Sequence, residues 1–225
     1  MKVEISLPKG IEDLKLSQYQ KFIKIAEENE ESEFLHHKMI EIFCGVDLKI
    51  IPNVKYKNIL EVTSLIANLF NRKYPLVNRF KIGTIEFGFI PNLEEMTTGE
   101  YMDLDTYITD WSKMHKAMAV LYRPITSKIG DKYKIEEYKG SDEYSEIMKS
   151  APLNVVFGCV VFFYHLGNEL LKSTLTYLEE NQEVMNTLNK ANLGKDGDGI
   201  HLSMLSLKEM LEDLMKLPNF QLINP

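Results

Sequence analysis

Three groups of residues have the types, and nearly the spacing, that chemistry requires. In "KDGDG", Asp196 and Asp198 alternate around a glycine as calcium loops do. Counted from Asp196, however, the fifth position is Ile200 and the twelfth is Leu207, so the third acidic ligand and the bidentate glutamate are missing and the expectation is a solvated turn. His36, His37 and Glu41 share a helical segment, and residues four apart on a helix face the same way. Their spacing is not that of H-E-x-x-H, and they alternate with apolar residues, so they are expected to line the wet side of a helix. Asp103, Asp105 and Asp110 follow a helix start, where acidic groups stabilise the helix dipole, and this explains them better than acid-base catalysis does. Glycine-rich phosphate cradles and a G-x-S-x-G elbow are absent. No catalytic, cofactor-binding or metal-ligating residue is assigned, and no cofactor is expected.

Arg123, in "AVLYRPI", is the charged residue with most to offer. Pro124 disfavours helix at the residue before it, which places the end of a helix near Arg123. A cation is favourable there, and its planar fork suits a neighbouring carboxylate or a partner's carbonyls.

The elements that must position these residues belong to an ordinary globular chain. Its 225 residues are 44% hydrophobic and 26% charged, enough for a sizeable core without staples. A formal charge of −7 with no dense basic block argues against nucleic acid as partner. Cys44 and Cys159 sit in apolar segments, as reduced thiols in a reducing cytoplasm do. The start, "MKVEISLPKGIEDL", has no apolar run of signal-peptide length, so export by a cleaved signal is not expected. Ser150 to Asn168 holds no Lys, Arg, Asp or Glu, but its strongly apolar centre, Val155 to Leu166, has the length of a buried core helix. Insertion of the 153–171 helix into a membrane is the disfavoured alternative.

Ser17 with Gln20 reads as a capping box opening a helix over 17–28. The acidic run Glu27 to Glu33 reads as a solvated linker, and Phe34, Leu35, Met39, Ile42 and Phe43 as the stripe of a second helix ending before Gly45. "KNILEVTSLIANLF" predicts a third helix, and "FKIGTIEFGFIP" a hairpin or strand ending at Pro91. Thr97 and Glu100 form another capping box, followed by the helix of "WSKMHKAMAVLYRPI". A Gly130–Asp131 turn with Tyr133, Ile135 and Tyr138 beyond it predicts a small hairpin or extended arm, with the stretch to Tyr144 as a contact surface. "NLGKDGDGIHLS" reads as a loop, Ser206 with Glu209 caps a last helix to about Leu217, and the tail "NFQLINP" is expected to be mobile or docked on a partner.

The same opening is written twice. At an offset of 82, Ile11 to Tyr19 lies over Leu93 to Tyr101; at 79, "LHHKMIEIFCGV" lies over "MHKAMAVLYRPI". Chance similarity of two amphipathic hairpins is one account, and a duplicated helix-linker-helix unit is the other. The expected fold is mainly α with minor β (α+β). Two similar units, 11–46 and 93–125, pack on a central apolar helix, with one or two short β-hairpins. Residues 1–180 form one helical domain, and 181–225 form a carboxy-terminal loop and capping helix.

"IPNLEEMTTGEYMDLDTY", "MHKAMAVLYRPI" and "FFYHLGNELLK" together resemble a family of small tailed-bacteriophage morphogenesis proteins, met in crAss-like phages and similar to tail assembly chaperones. The matching stretches are Leu7 through Tyr19, Met96 through Leu104, Ala119 through Pro124 and Tyr133 through Glu137. They are capping and packing signatures with no chemistry of their own. The resemblance implies a non-enzymatic virion structural or assembly protein of the host bacterial cytoplasm. It would bind other phage structural proteins in tail or neck morphogenesis and either stay in the virion or leave after assembly; self-association is open. Trp111, Tyr122, Arg123, Tyr133 and Tyr138 are the expected partner-binding residues. The competing readings are a membrane-associated effector and an enzyme with an unrecognised site.

Overall fold

The computed structural model describes residues 6–29 and 33–180. The expectations for Asp196, for the Ser206 helix and for the tail lie outside the described residues. Within them the chain is mainly α with minor β, as its periodicity predicts.

A 3-10 turn, Ile11–Asp13, leads into α1, Leu16–Glu28, whose buried face is Leu16, Tyr19, Phe22 and Ile23. The cap differs from the expected one. The helix starts ahead of Ser17, and the Gln18 side chain closes its first turn by accepting from the Lys15 backbone N–H at 2.9 Å. Gln18 donates in turn to the Ile42 carbonyl at 2.7 Å, fastening α1 to α2, Glu33–Cys44. Gln20, released from capping, reaches the Trp111 carbonyl at 2.8 Å. Helix α3, Tyr56–Phe70, packs beside α2, and His36 is buried between them with Nδ1 3.1 Å from the Thr63 hydroxyl. The wet-side expectation for His36 is therefore corrected, because the inward stripe of α2 runs through Leu35, His36, Met39 and Ile40 while Phe34 points out.

Two hairpins, β1 (Arg79–Ile82) with β2 (Ile85–Phe89) and β3 (Tyr122–Ile129) with β4 (Lys132–Ile135), merge into one antiparallel sheet of order β1-β2-β3-β4. Gly83 and Gly130 open their two-residue turns, each at φ 59°, a conformation that side-chain-bearing residues avoid. Phe87 to Phe89 pairs with Pro124 to Tyr122, across the inserted helices α4 (Thr98–Tyr107) and α5 (Met114–Leu121). Pairing explains a second correction: α5 stops at Leu121, and Arg123 is a strand residue, not a helix C-cap. The short α6, Asp142–Met148, packs on α5 and delivers the chain to α7, Leu153–Glu180.

The starts of α1 and α7 are tied by backbone. Leu16 N–H donates to the Ala151 carbonyl and Leu153 N–H to the Leu14 carbonyl, each at 2.9 Å. Below this clasp the Tyr19 ring meets Phe70, Trp111 and Phe157 edge-on at 5.4, 5.0 and 5.1 Å, joining α1, α3, α7 and the turn before α5. Like Ile11–Asp13, Leu93–Glu95 is a 3-10 turn ahead of a helix pair. Burial differs between the two openings: Tyr19 is fully enclosed, whereas Tyr101 is 52% exposed.

On α7, a Cβ at Gly158 would stand 2.1 Å from the Pro75 carbonyl oxygen, which is backbone and cannot swing away. Helix propensity alone would favour Gly158→Ala by about 1 kcal/mol. The expected outcome of that substitution is instead a net loss of about 1–3 kcal/mol from overpacking, read by denaturant melts.

Candidate functional site

The motif "MTTGEYMDL" becomes the first turns of α4. Thr97 is its N-cap, and Glu100 closes the box by accepting from the Thr97 backbone N–H and hydroxyl, both at 2.7 Å. The other oxygen of Glu100 meets Arg123 Nη2 at 2.5 Å, with both side chains buried. The guanidinium lies over the Tyr138 ring, 5.5 Å from its centre, and the Tyr138 hydroxyl donates to Asp103. Two stretches the sequence separates, "TGEYMD" and "LYRP", are thus joined by one buried cation. Burial by itself pushes the Glu100 carboxyl up, but the Thr97 bonds and Arg123 outweigh it and hold the group below the usual carboxylate range.

This geometry sets how far each expected partner residue is exposed. Tyr122 is fully buried, its hydroxyl donating to the Val77 carbonyl at 2.8 Å and its ring packed on Phe80 and Phe89. Arg123 is consumed by Glu100. Both are buried, because strand pairing turns this segment into the core. Tyr133 folds back over Gly88, where a Cβ would lie 2.5 Å from its ring, and donates to the Phe89 carbonyl at 2.8 Å. Tyr138 is half-buried against Arg123, and Trp111 half-buried against Tyr19 and Phe157. The arm to Tyr144 is accordingly pinned, Tyr144 donating to Glu136 at 2.6 Å.

Surface apolar groups lie elsewhere. Tyr101 and Met102, inside the same motif that buries Glu100 and Leu104, face outward, Met102 at 62% exposure. Along α7 the buried run ends at Val160, and Phe162 and Leu166 border an open groove of about 910 Å³ whose opposite wall includes Phe89, Ile90 and Leu93. A more polar depression of about 740 Å³ lies between α1 and the start of α5, lined by Lys21, Lys24, Glu27 and His115 among others. There burial, then Lys149, holds the His115 ring below the ordinary histidine range. Burial also raises both thiols, Cys44 to about 11 and Cys159 further, which leaves them protonated and inert at neutral pH. Among the described residues there is no group of three or more His, Cys, Asp or Glu that could hold a metal ion, and no helix is long and apolar enough to cross a membrane.

Sequence reasoning named Glu100 as a cap but missed its second partner. It also missed the outward pair Tyr101 and Met102, although two large apolar residues beside the charged positions of a capped helix were a usable signal.

If Glu100 and Arg123 are a structural pair, Glu100→Ala strands a buried guanidinium and costs about 3–5 kcal/mol, whereas Glu100→Leu with Arg123→Met costs less than either single change. Chemical denaturation of the wild type and of these four variants checks this. The sign of the pH dependence follows from a folded value held below the unfolded one, near about 4.3. The pair's contribution is complete above that range and is lost as pH falls through the folded value, because the unfolded chain takes up the proton first. Thermal midpoints should drop more steeply below about pH 4 for the wild type than for Glu100→Gln. Compared with protein-family models, with curated proteins and with solved structures, this chain finds no match.

Proposed function

We propose that this protein is a non-enzymatic bacteriophage structural or assembly protein, acting through protein-protein contacts in tail or neck morphogenesis. It works in the host bacterial cytoplasm and either remains in the virion or leaves once assembly is complete. The resemblance carried by Met96 through Leu104 and Ala119 through Pro124 supports the reading.

One observation carries it further. Glu100 and Arg123 of those motifs turn inward, while Tyr101 and Met102 stand exposed on the outer side of the same capped helix. Aromatic residues and methionine are the types enriched where proteins meet, and a methionine adapts its shape to the partner. A helix fixed by Glu100 to the sheet presents them without ordering on binding, which favours affinity.

Co-expression with the tail and neck gene products of the same phage, followed by affinity purification and light scattering, tests this. The expected result is a defined complex that Tyr101→Ala with Met102→Ala weakens at least tenfold while circular dichroism is unchanged. A chain that stays monomeric and captures none of those products overturns the reading.

A further inference from the structure

The β3–β4 hairpin extends past the part of the sheet that the core covers. Tyr122 and Arg123 at its base are buried, whereas Thr126 to Lys132, around its turn, are exposed. Ile129, beside that turn, is 86% exposed, the largest value of any bulky apolar side chain among the described residues. A β-branched residue suits a strand, but threonine would suit it equally and leave less apolar surface in water. The hairpin is anchored to β2, with Tyr133 donating to the Phe89 carbonyl at 2.8 Å and Lys128 paired with Glu86 at 3.3 Å, so Ile129 is presented with little left to order. Ile129 lies opposite Lys132 across the hairpin, and such cross-strand partners project from the same side. An apolar side chain with an ammonium group beside it fits an apolar surface edged by a carboxylate.

The same chain carries such a surface. The open groove of about 910 Å³ has Leu93, Phe162 and Leu166 among its walls and Glu94 in its lining, with Leu166 41% exposed. Lys132 borders this groove as well, yet among the described residues neither Lys132 nor Glu94 has an ion-pair partner. Because the hairpin tip borders the groove, a twofold axis passing beside the tip sets each tip against the groove of the other copy and makes every contact twice, as an isologous interface does. One such contact is small, and its repetition brings the buried surface toward the roughly 1,200 Å² of a specific association. A formal charge of −7 opposes pairing of two copies at long range, so the match has to be local, and an ammonium facing a carboxylate on either side of the axis supplies it.

We propose that a second copy of this chain occupies the groove. Ile129 of one protomer rests against Leu93, Phe162 and Leu166 of the other, with Lys132 beside the other's Glu94, and the same contacts recur in reverse about the twofold. This is independent of the assembly reading, which rests on the α4 surface. Sedimentation velocity of the full-length chain over a concentration series tests it. Expected is a monomer–dimer equilibrium that Ile129→Asp weakens at least tenfold with circular dichroism unchanged, since that side chain touches little of its own fold. Glu94→Lys and Lys132→Glu should each weaken the dimer several-fold, and both changes in one chain should restore it, because the exchanged charges meet again across the axis. A chain still monomeric at about 1 mM overturns the inference. So does a dimer that Ile129→Asp leaves intact, or a double variant that restores nothing. Binding of the wild type but not of Ile129→Asp to phosphatidylglycerol vesicles, without dimers, also overturns it and would assign the tip to an anionic lipid surface.

Discussion

The fold depends on the aromatic junction at Tyr19. Its ring, on α1, meets α3, α7 and the turn carrying Trp111 together, and edge-on contacts at about 5 Å are the favourable geometry for such rings. The backbone clasp between Leu14–Leu16 and Ala151–Leu153 brings the two helix starts together and fixes the angle at which Phe157 arrives. Gly158 then lets the Pro75 backbone close against the next position. The Tyr19 hydroxyl finds no hydrogen-bond partner among the described residues, and burial raises its pKa well above the ordinary value. Packing of the ring therefore outweighs the desolvation of its oxygen.

A second constraint orients the rest. The sheet is assembled from pieces on either side of α4 and α5, so those helices have to be fixed to it by side chains. The Glu100–Arg123 pair does this from a capped helix turn to a central strand, and the Tyr138 ring covers the guanidinium. A buried ion pair adds little net stability but penalises any arrangement that separates its members, and so it selects one placement of α4. The Tyr133 ring over Gly88 performs a comparable service for the β3–β4 hairpin, curling it back onto β2.

These internal commitments explain why the surface is divided as it is. Tyr122 and Arg123 are occupied by the core and Tyr133 and Tyr138 by contacts beside it, while Tyr101, Met102 and Leu166 are left with apolar atoms facing water. The two regions differ in kind. The first is a small, rigid patch on a capped helix, and the second is a concave strip continuous with the hydrophobic core.

The sequence by itself determined the local elements. The stripe of α1, the Thr97–Glu100 capping box and the turn at Gly130 each depend on residues within a turn or two of one another, where steric and hydrogen-bonding rules act directly. Tertiary structure decided the rest. Whether Tyr122 and Arg123 continued as helix or became strand depended on Phe87 to Phe89, far away in the chain. His36 turned inward because α3 offered the Thr63 hydroxyl, and Gln20 lost its capping role because Gln18 was nearer the helix start. The apolar run after Ser150 reads as one uniform rod, yet only neighbours that wrap it decide where burial ends, since periodicity records which residues are apolar and not how far the cover extends.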